Sequence, residues 1–234
     1  MAVRDIVPYL ENEAALRKKS EPVSRVTRRV KKLVRDLKDT LNDPHTEGIG
    51  LAAPQINVHS RVVVVRLGGG GDGENEPGPP LALIDPQVIE ARNEERDFDG
   101  CLSFPGLYAE TVRPHYLRVT GLDEAGNPFD RVFEGFDAVV VHHEVDHLDG
   151  VLFIDRVESL EDLYRMREDE NGKVVWSTAV THQSLVQVLA ETRLAANVEP
   201  EMRRDIDGGD APAGDRELSC VSVVASPAHM ETPA

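Results

Sequence analysis

Residues 143 to 147 read His143-Glu144-Val145-Asp146-His147. Two imidazoles at positions i and i+4 stand one turn apart on one face of a helix, so both can reach a single metal ion with the Glu144 carboxyl beside it. This is the vocabulary of a metal hydrolase: imidazoles hold the ion, the ion lowers the pKa of water, and a carboxylate moves the proton. A catalytic zinc-type centre takes three protein ligands and leaves a fourth position open, so another donor must come from elsewhere. Three sources compete. Phe153 stands where the metzincin protease pattern needs its third histidine, and an apolar ring cannot ligate. Glu168 or Glu170, downstream, would make an HExxH zinc peptidase of the thermolysin type. Cys101, in Asp99-Gly100-Cys101-Leu102-Ser103, offers a thiolate, although a lone cysteine is more often a small buried core residue. A noncatalytic metal module would need a fourth protein ligand, for which His142 is the nearest candidate. Adjacent helix positions diverge by about 100°, however, so His142 points away from His143.

The elements that must carry these residues are legible in the hydrophobic pattern. Val26, Val30, Leu33, Val34, Leu37 and Leu41 recur at helical spacing, with Ser24 as an N-cap candidate. A glycine-bearing loop, Gly48-Ile49-Gly50-Leu51-Ala52-Ala53-Pro54-Gln55, leads into a β-branched run over residues 61–67 that reads as a buried strand. Further strands are expected over 81–84, 88–91, 116–122 and 131–134, with Gly126-Asn127-Pro128 as a hairpin turn. Residues 136–148 switch to a helical pattern, with Asp137 near its start and Gly150 placed as a C-terminal cap. Asp146 and Asp149 suggest that one face of this helix meets water. Another helix is expected over 183–196. The Gly- and Pro-rich stretch over 68–80 reads as a surface excursion, and no Gly-Lys followed by Ser or Thr makes it a phosphate loop. The fold class implied is α+β: mixed and antiparallel strands packed around a central metal-binding helix, with an N-terminal and a C-terminal helix. Residues 1–200 would form the catalytic domain, and 201–234, rich in Gly, Pro, Ala and acidic residues, a disordered tail.

Composition narrows the remaining classes. The chain has 234 residues, two cysteines and a formal net charge of -16. The second cysteine, Cys220, lies in the polar tail, so a disulfide framework is not expected and Cys101 is free for chemistry. No apolar run reaches the ~18 residues needed to span a bilayer and no secretory leader is visible, so a cytoplasmic protein without a membrane role is expected. The acidic balance argues against DNA binding. Residues 1–38 depart from it, with eleven Lys or Arg against five Asp or Glu, a local +6. The plain reading is a solvated helix surface; the sharper one is contact with an anionic partner such as ribosomal RNA.

Three stretches taken together identify a family. Gly48-Ile-Gly-Leu-Ala-Ala-Pro-Gln55, Gly100-Cys-Leu-Ser103 and His143-Glu-Val-Asp-His147-Leu-Asp-Gly150 occur in the order found in peptide deformylases, which this chain resembles from about Leu16 to Val157. The resemblance implies metal ligation by Cys101, His143 and His147. It also implies Glu144 as the acid/base, with the Gln55 side-chain amide and the Leu102 backbone N–H as oxyanion donors. N-formylmethionyl peptides would be the substrates. It favours Fe(2+), although a thiolate with two imidazoles also accepts Zn(2+), Ni(2+) or Co(2+). Ile49, Phe104, Val139 and Val140 could line an apolar pocket for an unbranched side chain, and the Gly48 to Leu51 loop, Gly50 included, could pair with substrate backbone. Core packing is the plainer account of the valines. Two positions depart from the family's usual pattern: Asp99 stands for glutamate and His142 for glutamine. Asp99 still offers a carboxylate, with Arg113 as a partner, and His142 would add an imidazole titrating near neutrality.

Overall fold

The computed structural model describes residues 2–46, 48–69, 76–168 and 174–178. Helix α1 spans Tyr9–Leu16 and α2 Arg28–Leu41; strands β1 (Gly50–Ala52) and β2 (Val62–Val65) follow. Two long strands, β3 (Leu81–Gly100) and β4 (Leu107–Leu122), precede β5 (Pro128–Glu134), helix α3 (Phe136–Leu148), β6 (Leu163–Glu168) and β7 (Val174–Thr178). The pairings among these strands are antiparallel, in the order β1-β2-β3-β4-β6-β7, with β5 also on β4.

Strand β2 is buried on both faces, which is why it reads as an unbroken valine run. Val63 and Val65 join Ile49, Leu83, Leu117, Val140, Val141, Val145 and Leu148 in a cluster between the sheet and α3. Val62 and Val64 turn the other way, onto Leu33, Val34, Leu37 and Leu41 of α2. A third cluster joins Leu16, Phe104, Leu107, Leu152 and Phe153 around Cys101. Helix α3 is thus covered on all sides, and Asp146, whose charge suggests an exposed face, is buried.

The expected α2 is present, but its cap is Thr27, whose hydroxyl accepts the Val30 N–H at 3.3 Å, and not Ser24. The strands expected over 81–84 and 88–91 are one strand, β3, bent by register shifts between Ile84 and Gln87 and between Val88 and Glu90. Its continuation through Arg92-Asn-Glu-Glu-Arg96 shows no apolar alternation, and pairing with β4 holds it extended. Helix α1 is an addition; a break at Asn12 interrupts it, and no periodic pattern marks it. At the end of α3, Gly150 takes φ +73°, and a Cβ there would collide with the Arg17 carbonyl oxygen. Asp137 does not cap α3; it accepts the Gly68 N–H at 2.8 Å. The helix expected over 183–196, the tail over 201–234 and Glu170 lie outside the described residues.

Candidate active site

Three elements deliver the site. His143 and His147 lie one turn apart on α3, and Cys101 follows directly on β3 in the turn leading to β4. One ligand atom from each falls within 4.8 Å of the others, and all three residues are buried. Cys101 Sγ lies 3.2 Å from His147 Nε2. Among the described residues, these three gather as donors for a metal ion. A thiolate and two imidazoles suit a divalent transition ion, and the donor spacing fits one ion at the centre of the three.

The two rings are prepared differently. His143 Nδ1 stands 2.8 Å from Asp99 Oδ1 and 3.3 Å from a guanidinium nitrogen of Arg113. Asp99 can only accept, so ligation of a metal through Nε2 would turn an Nδ1 proton toward Asp99 Oδ1, which approaches to 2.8 Å as a charge contact. Burial disfavours the protonated form of both rings. At His143 the Asp99 carboxylate overrides burial and raises the pKa well above the ordinary value, whereas His147 is held well below it. His147 Nδ1 has no hydrogen-bond partner among the described residues.

Arg113, fully buried on β4, organises the support. Its Nε donates to Asp99 Oδ2 at 2.6 Å, and one terminal nitrogen donates to Asp146 Oδ2 at 3.0 Å and His142 Nδ1 at 2.9 Å. Thr111 adds a hydroxyl to Asp99 Oδ2 at 3.1 Å, and Arg156 grips Asp146 from outside with bonds of 3.0 and 2.8 Å. Burial alone would raise Asp99, but Arg113 and His143 outweigh it and hold the carboxyl well below the usual carboxylate range. Asp146 is also lowered: Arg156 and Arg113 overcome its burial. The expected Asp99–Arg113 partnership is therefore present. His142 differs from expectation: burial pushes its pKa down to about 4, so it is a neutral acceptor for Arg113 across the neutral range. It is outside the donor group. Asp146 and Arg156 are the functional neighbours that sequence reasoning missed; the i+3 spacing of Asp146 from His143 was visible, but its partners lie on β4 and beyond α3.

Glu144 is buried, one carboxyl oxygen has no partner among the described residues, and burial raises its pKa to about 7. Its side chain lies against Gly50, where any Cβ would collide with the carboxyl, so the glycine of β1 is required by the closeness of α3. Gln55 follows β1 in a 3-10 turn, Ala53–Ile56. Its Oε1 accepts the Ala52 N–H at 2.8 Å, which fixes the amide so that Nε2 faces Cys101 Sγ at 3.6 Å and Ser103 Oγ at 3.4 Å. Leu102, next to Cys101, packs toward Gly48: a Cβ there would meet Leu102 Cδ1 at 2.8 Å. The three motifs thus converge. The proposed apolar pocket residues do not share one lining: Ile49 and Val140 pack in the sheet–α3 cluster, Val139 is fully buried, and Phe104 stacks on Tyr9 at 4.7 Å in the cluster around Cys101.

An α+β fold presenting one thiolate and two imidazoles, with a buried carboxyl beside them, defines a metal-dependent hydrolase centre. A family model described as polypeptide deformylase matches residues 3–162. A peptide deformylase of Thermomicrobium roseum is 39% identical over 170 residues, covering 73% of this chain and 94% of its own. The structure of the Ehrlichia chaffeensis peptide deformylase in complex with actinonin superposes with a TM-score of 0.61 at 32% identity, covering 69% of this chain and 92% of that one. A class I type b peptide deformylase of Acinetobacter baumannii, bound to Met-Ala-Ser, gives a TM-score of 0.60 at 27% identity, over 67% and 99% of the two chains. The chain belongs to the polypeptide deformylase family.

Proposed function

We propose that this chain removes the formyl group from the N-terminal formylmethionine of newly made polypeptides and releases formate. The observation that carries the reading is the convergence of three donors, an unpartnered buried carboxyl oxygen of Glu144 and an oriented Gln55 amide in one buried space. Cys101, His143 and His147 would hold the ion, Fe(2+) by family likeness, with Zn(2+), Ni(2+) or Co(2+) accepted by the same donors. The ion, when bound, supplies Lewis acidity and makes water a nucleophile near neutral pH. Glu144 takes a proton from the attacking water and delivers it to the departing amine, which leaves poorly as an anion. The Gln55 Nε2–H and the Leu102 N–H donate to the oxygen on which negative charge develops at the formyl carbon. Among the described residues β1 ends the sheet, and its outer edge at Gly50 offers main-chain groups to an extended peptide, with Ile49 and Phe104 in the apolar packing on either side of the site. Newly made chains as substrate place the protein in the cytoplasm.

The test is formate release from formyl-Met-Ala-Ser under anaerobic conditions, with Fe(2+)-loaded protein and its Glu144→Gln variant. Wild-type turnover with a loss of about 10²- to 10⁴-fold in the variant is expected. Unchanged turnover overturns the role of Glu144, and cleavage of internal amides without formate would favour a peptidase.

Helix α2 favours a ribosomal partner. Arg25, Arg28, Arg29, Lys31 and Arg35 are exposed and make no ion pair among the described residues, while the opposite side of α2 packs on the core. Cosedimentation with ribosomes should weaken on charge reversal at Arg28, Arg29 and Arg35; equal binding removes the idea.

A further inference from the structure

Ser20 and Arg61 are 3% and 5% exposed, yet the Ser20 hydroxyl and the Arg61 Nε–H have no hydrogen-bond partner among the described residues. Asp85 Oδ1 lies 3.9 Å from Nε, beyond hydrogen-bond reach. The rest of the guanidinium is committed: Nη1 donates to Asp149 Oδ1 at 2.8 Å and Nη2 to the Pro86 carbonyl at 3.0 Å. Buried donors without partners are rare, because nothing repays the water they lose. Both residues line one cavity of about 630 Å³, the size of a small-molecule site. Main-chain bonds fix the walls: Ser20 N–H to the Leu148 carbonyl at 2.8 Å, Glu21 N–H to that of His59 at 3.1 Å, and Arg61 N–H to that of Glu21 at 2.9 Å. The cavity is thus held between the end of α3 and the start of β2. It is separate from the metal centre, because α3 contributes Val145, about 200° around the helix from His143 and packed toward the sheet.

We propose that this cavity is a second binding site, for a zwitterionic amino acid with an aliphatic side chain. Ser20 and Arg61 are its buried floor, and Lys19 stands exposed at the rim, with Nζ 3.2 Å from Asp149. The uncommitted donors of these three residues suit a carboxylate. Glu21 is exposed at the same rim, makes no ion pair among the described residues and suits an ammonium group. Pro22, Val88 and Val145 supply the apolar wall for a side chain. The formal charges of the lining cancel, Lys19 and Arg61 against Glu21 and Asp149. A ligand carrying only negative charge would therefore meet two carboxylates, whereas one carrying both charges meets an opposite charge at each end.

The test is two-dimensional NMR of the nitrogen-15-labelled, Zn(2+)-loaded chain titrated with L-leucine, L-leucinamide and 4-methylpentanoate. L-leucine should shift the amide signals of Ser20, Glu21 and Val88 along one saturation curve. The other two compounds each lack one charge and should bind about five-fold more weakly, the scale of one exposed ion pair. Glu21→Gln should weaken L-leucine and leave 4-methylpentanoate unchanged; Lys19→Gln should weaken both and leave L-leucinamide unchanged. Val88→Trp, at a half-buried position, fills the cavity and should abolish the shifts while the spectrum stays that of a folded chain. Ser20→Ala should weaken L-leucine and raise the urea midpoint, since it removes a buried hydroxyl that has no partner. A lower midpoint with L-leucine binding intact would make that hydroxyl structural and overturn the proposal. Shifts confined to signals around Cys101 and His143 and surviving Val88→Trp would mean ligation of the metal and overturn it too, as would no shift with L-leucine at tens of millimolar.

Discussion

Asp99 is one methylene shorter than the glutamate usual at its position, yet it reaches both His143 and Arg113 because β4 lies directly beside it and brings Arg113 to 2.6 Å. Its charge raises the basicity of the His143 ring, strengthening it as a ligand. Asp99→Asn keeps the shape and an acceptor but removes the charge. Metal affinity should fall about 10- to 100-fold, read by competition with a chelator, while the fold remains. The approach of His143 and His147 to one point was legible from spacing alone, and that of Cys101 from motif likeness. The clamp of Arg113 and Arg156 on Asp146 was not, because nothing in sequence ties a helix residue to partners 33 and 10 positions away.

At the scale of elements, α3 and β1 approach so closely that one glycine decides the fit. Gly50→Ala should drive the Glu144 carboxyl from its place. A displacement of about 1 Å costs on the order of 10²-fold in kcat. Unaltered metal content with depressed kcat is the expected signature; a normal rate would show that β1 can retreat. Helices α2 and α3 and strand β2 were readable because burial on one or two sides imprints a period on them. The distal half of β3 was not: its extension comes from pairing with β4, a partner that its own charged residues do not announce. The N-terminal end of β4 went unread for the same reason.

For the molecule as a whole, the buried carboxylates set the behaviour in acid. Asp99 and Asp146 are both depressed in the folded state, so the stability they contribute is fully present above the unfolded value of about 3.9 and drains away as pH falls below it. Urea unfolding at fixed metal concentration should therefore show a steep loss of stability between about pH 4 and pH 2. Asp99→Asn should flatten that slope, and an equally steep decline in the variant would mean that other groups govern it. Substituting Arg113 by leucine should be worse, about 3–5 kcal/mol, because Asp99 would be left buried without a cation and Asp146 would keep Arg156 alone. Arg113, in this sense, is the pin through three separate parts of the chain.

The residues before α1 are tied to the same centre. The Val7 N–H bonds to the carbonyl of Gln55 and the Tyr9 N–H to that of Ser103, at 2.7 and 2.9 Å, while Ala2 and Arg4 are anchored on Asp39 and Thr40 of α2. For protein engineering this makes the two ends of the chain unequal. A fusion partner or affinity tag joined ahead of Ala2 pulls on the backbone that seats an oxyanion donor and the turn after Cys101, whereas one joined well beyond residue 162 enters outside the 3–162 span shared with the family. Matched proteins tagged ahead of Ala2 or beyond residue 162 should accordingly differ in kcat, the N-terminal fusion being the slower, and equal rates would show that the first residues only rest on the site.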